Sequence, residues 1–262
     1  MTALPHSTVV TRLRAAGCVF AEDEAELLLA TARTPTELDA MVRRRAEGLP
    51  LEHVLGWAEF RGVRVEVDPT VFVPRRRTEF LVEQAVALAG PGAVVVDLCC
   101  GSGALGAALV AGIGRAELYA ADIDPAAVAC ARRNVAAAGG RVYQGDLFEP
   151  LPAALRGRVD ILLANVPYVP TEEIALLPSE ARVHEARVAL DGGSDGLDVL
   201  RRVTAEAAEW LAPGGCLLFE TSERQVPTAV ETVLRGGLVP RVTTCDELYA
   251  TVVVATRPAP AH

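Results

Sequence analysis

The chain has no lysine; all 25 of its basic residues are arginine. That bias points to a GC-rich coding sequence more than to a binding chemistry. Also missing is any run of about 18 or more uncharged apolar residues, so no membrane-spanning helix is expected, although 51% of the 262 residues are hydrophobic. The first residues, Met1-Thr2-Ala3-Leu4-Pro5-His6, hold no basic stretch leading into an apolar one. This argues against a secretory signal and for a cytoplasmic location. The six cysteines (Cys18, Cys99, Cys100, Cys130, Cys216, Cys245) form no Cys-x-x-Cys pair and no zinc spacing. They read as reduced, mostly buried small hydrophobes, and no metal centre is expected. A basic footprint is lacking as well. The net charge is −9, with −2 on residues 1–90 and −7 on the remainder, which disfavours a nucleic-acid partner. Arg43-Arg44-Arg45 suits a solvated helix face, whereas Arg75-Arg76-Arg77 lies between two expected units and is open to phosphate or an acidic protein surface. There is no internal repeat.

What is present begins with Asn165-Val166-Pro167-Tyr168. It follows the apolar run Val159-Asp160-Ile161-Leu162-Leu163-Ala164, which reads as a buried strand ending in a turn. In an open α/β sheet the carboxyl ends of the strands carry ligands and chemistry. An Asn there, with a proline-stiffened turn and an aromatic, suits the holding of a planar amide or amino nitrogen before an electrophile. The Asn165 side-chain oxygen and the Val166 carbonyl can accept its two N–H groups, while Tyr168 packs on the plane. That is catalysis by positioning and electrostatics, with no strong base. The plainer alternative is a turn in which Asn and Pro only end the strand.

Upstream, Val94-Val95-Val96-Asp97-Leu98 reads as a short strand, followed by Cys99-Cys100-Gly101-Ser102-Gly103 and a small-residue helix. A glycine-rich strand-to-helix turn brings backbone N–H groups close to a cofactor. Asp97 makes the signal sharper. Its carboxylate would repel a pyrophosphate but suits an ammonium and a sulfonium, which describes S-adenosylmethionine. Asp122, at the end of the next expected strand, lies roughly 20 residues past the loop, where an acid commonly meets ribose hydroxyls. Asp124-Pro125 reads as N-cap and first residue of the following helix. In the exit of a third strand, Asp146 can meet an adenine amino group and Leu147 cover the ring, or both can be ordinary loop residues.

Taken together, these motifs resemble the protein-(glutamine-N5) methyltransferases that modify peptide chain release factors. The resemblance covers nearly the whole chain. It includes Pro50-Leu51-Glu52-His53-Val54-Leu55-Gly56, Glu59-Phe60-Arg61-Gly62, Val73-Pro74-Arg75 and Thr78-Glu79. Later come Glu185, Ala189-Leu190-Asp191-Gly192-Gly193, Asp195-Gly196-Leu197, Phe219-Glu220 and Gln225. Five positions, in three places, depart from the family pattern. Val166 stands in place of Pro, which keeps the backbone carbonyl but frees φ and adds an N–H. Cys99 and Cys100 replace Gly and Thr, and Cys99 cannot take positive φ as cheaply as Gly. Arg76 and Arg77 replace Pro and an acid. These departures resemble a divergent, largely actinobacterial branch of the family.

The resemblance implies an α/β fold: a class I S-adenosylmethionine-dependent methyltransferase, Rossmann-like, with a seven-stranded mixed sheet and a small N-terminal helical domain. The expected units are a helical bundle over 1–50, a linker and β-hairpin over 51–77, a methyltransferase domain over 78–256 and a disordered tail over 257–262. Helices are expected over 7–16, 22–33 and 36–48, with Thr36 capping the third, and Thr78 is expected to cap a helix through Leu88. The site expected from the same reading has Asn165, Val166, Pro167 and Tyr168 at the acceptor. Its cofactor side is Asp97, Cys99, Cys100, Gly101, Ser102, Gly103, Asp122, Asp146 and Leu147, with Asn165 shared. His53 and His184 read as structural, and Glu185 and Glu220 as groups that order loops. The expected acceptor is a glutamine in the Gly-Gly-Gln loop of a release factor. A small amide or amine remains a second reading, and a non-catalytic cofactor-binding protein a third.

Overall fold

In the computed structural model, which describes residues 4–259, the chain opens with α1 (His6–Ala15), α2 (Ala21–Thr31), α3 (Pro35–Ala46) and α4 (Leu51–Leu55). These helices enclose a small core of their own that includes Leu13, Leu28, Leu38 and Val42. Helix α3 starts where the Thr34 hydroxyl accepts the Glu37 N–H and Pro35 fills the first helical position. Proline costs nothing there, because that N–H has no helical partner. The cap is therefore Thr34 and not Thr36. Helix α4 occupies a stretch expected to be linker, ended by Gly56 in the left-handed region at φ 80°.

A hairpin follows, β1 (Trp57–Phe60) against β2 (Val63–Glu66), with Phe60 opposite Val63. A short 3-10 turn over Arg76–Thr78 leads into α5 (Glu79–Leu88). Thr78 does not cap that helix. It has helical φ and ψ of its own, and its hydroxyl donates instead to Glu220 Oε2 at 2.8 Å.

From there strand and helix alternate: β3 (Ala93–Leu98), α6 (Ala104–Ile113), β4 (Ala116–Asp122), α7 (Pro125–Ala136), β5 (Arg141–Gln144) and β6 (Val159–Ala164). An excursion carrying the short α8 (Ser179–His184) intervenes before α9 (Asp198–Trp210), β7 (Leu211–Glu220), α10 (Val226–Arg235), β8 (Val239–Cys245) and β9 (Ala250–Thr256). The seven strands are ordered β5-β4-β3-β6-β7-β9-β8, with β9 antiparallel to both of its neighbours. The other neighbouring pairs run parallel. Every residue of β3 is buried, as befits a strand covered on both faces, and such strands read as unbroken apolar runs. Val94, Val96 and Leu98 face one half of the core with Leu162 and Leu217. Val95 faces the other with Ile161, Leu163 and Leu218.

Arg257, expected in the disordered tail, exchanges backbone hydrogen bonds with Gly214 and Gly215. Residues 260–262 of that tail lie outside the described residues. No described helix is long and apolar enough to cross a membrane. The helical bundle is tied to the sheet domain by Arg45 of α3. It bonds Glu24 of α2 with two nitrogens, at 2.6 and 3.0 Å, and reaches Glu180 of α8 at 2.6 Å.

Candidate active site

The chain switches direction across the sheet at β3, which pairs with β4 on one side and β6 on the other. Ligands of open α/β sheets bind in the crevice outside the strand ends at such a switch point. Here the crevice is a cavity of about 560 Å³, lined by Asp97, Cys99, Cys100, Gly101, Ser102, Asp122, Asp146, Leu147 and the four residues Asn165 to Tyr168. All but one of the residues expected at the site thus meet in one space. The exception is Gly103. At φ 77°, its missing side chain makes room for α7, since a Cβ there would lie 3.0 Å from Val135 Cγ1 and 3.2 Å from Ala131 Cβ. Its role is to let the loop turn into α6, behind the cavity wall.

The turn after β3 is tightly held. Asp122 accepts the Gly101 N–H on Oδ2 at 2.8 Å and the Asp124 N–H on Oδ1 at 2.9 Å, so one carboxylate pins two loops. Asp124 caps α7 by accepting the Ala126 N–H. Cys99 sits in the left-handed region at φ 53°. Burial pushes both loop thiols, Cys99 and Cys100, above their ordinary values. They are therefore protonated lining groups, not nucleophiles.

Asp97 is the telling residue of this half. Its Oδ2 accepts the Gly106 N–H at 2.9 Å, while Oδ1 is buried with no partner among the described residues. Gly106 permits this approach, because a Cβ would stand 2.9 Å from Leu118 Cδ1 and 3.1 Å from Asp97 Oδ2. Burial, with the nearby Asp122 adding to it, pushes Asp97 up to about 8. An orphaned buried carboxylate oxygen is costly unless something arrives to meet it. A ligand ammonium fits that need, so the residues present suit S-adenosylmethionine. On the far side Asp146 is paired with Arg202 at 2.6 Å. Leu147, at φ 48°, is turned against the cavity, and the next residue, Phe148, anchors the loop by stacking on Trp210 at 5.3 Å between ring centroids.

The other half follows β6. Asn165 Oδ1 is buried and has no partner among the described residues. Val166 is buried in the core. The Tyr168 hydroxyl donates to Glu220 Oε1 at 2.7 Å, and its backbone carbonyl accepts Gln225 Nε2 at 2.9 Å. The same Gln225 nitrogen reaches the Asp195 carbonyl at 2.9 Å. Burial, reinforced by Glu220, raises the Tyr168 pKa above its usual value, so the phenol stays neutral.

A family model described as methyltransferase small domain matches residues 63–196. A release factor glutamine methyltransferase of Geobacter sulfurreducens is 42% identical over 217 residues, covering 81% of this chain and 73% of that protein. The chain belongs to the release factor glutamine methyltransferase family. It is an S-adenosylmethionine-dependent methyltransferase. A second relative, from Streptomyces pristinaespiralis, is 35% identical and covers 93% of this chain and 86% of its own length. That protein is a 4-amino-L-phenylalanine/4-methylamino-L-phenylalanine methyltransferase. Among solved structures, a methyltransferase from Pyrococcus furiosus superposes with a TM-score of 0.57 at 16% identity, over 75% of this chain and 90% of that one. That likeness is one of fold.

Within this family member, several pairings at and behind the cavity wall escape a reading of sequence alone. Arg75 pairs with Glu185 at 2.6 Å, and the same Glu185 oxygen accepts the Val73 N–H at 3.1 Å. Arg77 pairs with Glu220 at 2.7 Å. Glu185 and Glu220 do order loops, as expected, by gathering donors from distant segments. Arg202 could have been sought as the counter-charge to Asp146, since both face the cavity, but nothing local marks it. His53 lies outside the cavity lining. Its Nε2 stands 2.8 Å from the Val71 carbonyl, and burial lowers its pKa, which leaves a neutral structural imidazole.

Proposed function

We propose that this enzyme methylates the side-chain amide nitrogen of a glutamine in a peptide chain release factor, with the Asn165 to Tyr168 segment holding the acceptor. The observation that carries the proposal is the buried, unpartnered Asn165 Oδ1 on the cavity wall. A buried acceptor without a donor costs about 1–3 kcal/mol, and an amide N–H of the substrate is the group that repays it. The Val166 carbonyl accepts the second N–H. Tyr168, fixed at its hydroxyl and its carbonyl, packs on the amide plane. When bound, the cofactor would supply an electrophilic sulfonium methyl group to the amide nitrogen that Asn165 and the Val166 carbonyl hold, the C–S electron pair staying on sulfur. The proton leaves to solvent or to a backbone acceptor.

Asp97 would receive the cofactor's ammonium, Asp122 its ribose hydroxyls and Asp146 its adenine amino group, and Leu147 would cover the ring. No general base is needed, in keeping with a neutral Tyr168 and with His53 set apart from the cavity. Two features favour a second reading, a small aromatic amine or amide as acceptor. One is Val166 where the family pattern has Pro. The other is the 35% identity to an aminophenylalanine methyltransferase.

Purified protein, methyl-labelled S-adenosylmethionine and the host's release factors give the test, read by mass spectrometry at the Gly-Gly-Gln glutamine. Label there that disappears in Asn165→Ala supports the first reading. Cofactor binding by calorimetry with no label on any release factor sinks it, and 4-amino-L-phenylalanine is then the first small acceptor to try.

A further inference from the structure

Glu220 lies behind the cavity wall, held by Arg77 and Tyr168, which line the cavity. Its side chain is 4% exposed, and it gathers donors from three sources. Thr78 Oγ1 donates to Oε2 at 2.8 Å, while the Tyr168 hydroxyl and Arg77 Nε donate to Oε1, each at 2.7 Å. Arg77 is its one ion-pair partner among the described residues. Arg77 also bonds the Tyr168 hydroxyl directly through Nη2. Its guanidinium carbon lies 5.8 Å from the Tyr168 ring centroid, and the side chain, 48% exposed, lines the cavity. The three groups form a closed triangle. Tyr168 donates to Glu220, accepts from Arg77, and Arg77 pairs with Glu220.

The triangle has a use that single contacts do not. A phenol held only by one donated hydrogen bond can still pivot about that bond and tilt with its loop. A phenol that also accepts from a planar, two-pronged cation is fixed at its oxygen in two directions. Lysine cannot reproduce this, because its ammonium is a point charge on a flexible stem, whereas arginine reaches two partners in a rigid fork. Burial adds stringency: a carboxylate this enclosed is left uncompensated when its cation is removed, and its remaining donors rearrange around it. That changes what the Tyr168 hydroxyl faces.

We propose that Arg77 is a positioning residue, which locks the Tyr168 ring through Glu220 in the orientation the acceptor nitrogen requires. The inference rests on the reading that Tyr168 packs against the acceptor. Arg77 is absent from the bond-making step. It acts through the ring.

The test uses Arg77→Gln, Arg77→Lys and Tyr168→Phe, singly and combined, in the full chain. Methylation kinetics are measured on whichever acceptor the wild type labels, with calorimetric cofactor affinity and ring-labelled tyrosine NMR alongside. Arg77→Gln is expected to lower kcat about ten- to hundredfold, the scale of a misplacement near 1 Å. The acceptor KM should move less than threefold and the cofactor Kd less than twofold. Arg77→Lys should recover the thermal midpoint but not kcat, which separates the fork from the charge. In the Tyr168→Phe background the loss from Arg77→Gln should largely vanish. An unchanged kcat in Arg77→Gln, or an undiminished loss in the Tyr168→Phe background, overturns the proposal. If no release factor is labelled, the acceptor reading falls by itself. The ring signal of Tyr168, identified by its loss in Tyr168→Phe, then decides for Arg77. A shifted or broadened signal in Arg77→Gln supports the lock, and an unmoved one refutes it.

Discussion

Asp97 should make the ligand-free enzyme less stable as the pH rises through neutrality. Its carboxyl is raised by burial from 3.8 to about 8. Below about 3.8 both the folded and the unfolded chain hold the proton. Between the two values the folded chain keeps a proton that the unfolded chain has released, so unfolding gains with each added pH unit. The loss is about 1.4 kcal/mol per unit over that window and levels off above pH 8 or so. From pH 6 to pH 8 the expected cost is about 2 kcal/mol. For a chain of this size that is a fall in Tm on the order of 5–10 °C. Asp122 and Glu185 are also raised by burial and push in the same direction, so the slope must be compared with that of Asp97→Asn, which keeps the Gly106 contact without the titration. Saturating S-adenosylmethionine should flatten the wild-type slope if, as proposed, its ammonium meets the ionised carboxylate at the unpartnered Oδ1. Its affinity should therefore climb from pH 6 toward 8, by at most about tenfold per unit, and stop climbing as its own amino group deprotonates near 8. Differential scanning fluorimetry at pH 6, 7 and 8, with and without cofactor, checks all of this. A wild-type slope no steeper than that of Asp97→Asn would refute the reasoning.

Three further outcomes are expected. Cys99→Gly should exceed Cys99→Ala in stability by about 1 kcal/mol, the left-handed penalty at φ 53° less the unfolded-state entropy of glycine, a difference of a few degrees in Tm. Arg45→Met strands Glu24, whose side chain is 10% exposed, and should cost about 3–5 kcal/mol in urea unfolding, much of it recovered by adding Glu24→Gln. Gly196→Ala would place a Cβ 2.2 Å from the Tyr168 carbonyl. It should lower kcat at least about a hundredfold with cofactor affinity by calorimetry unchanged, and an active variant would show that the Tyr168 loop has slack.

The parts of the fold most legible in sequence were those with a local signature. Strand β6 spans the expected residues, Val159–Ala164, because a buried parallel strand is an apolar run closed by turn residues. Strand β7 begins at Leu211, ahead of a turn-like stretch. Its Pro213-Gly214-Gly215 segment reads as a turn but is a shift of register, with Val159 opposite Leu211 and Ile161 opposite Cys216. The excursion between β6 and α9 had no period to read, because 3-10 turns over Thr171–Leu176 and Arg187–Ala189 repeat too briefly. The positive φ at Cys99 was foreseeable from the glycine the family keeps there. The Arg77 pairing with Glu220 was not, since it joins residues 143 apart in the chain and leaves no trace in local pattern.

The register of β3 against β6 has a broader consequence. Leu98 stands opposite Ala164 in a parallel ladder. The loop we propose for the methyl donor and the loop we propose for the acceptor therefore spring from side-by-side strand ends, about 4.8 Å apart. In that reading the two reactants are held by a common jig, and their spacing is inherited from backbone hydrogen bonds that no substrate touches. What surrounds the jig, Thr70 to Arg77 and the excursion through Val188, comes from other segments. Those walls can be recut for a different guest while the distance between the reacting atoms stays as it was. A family built this way can change its clientele by remodelling the doorway alone.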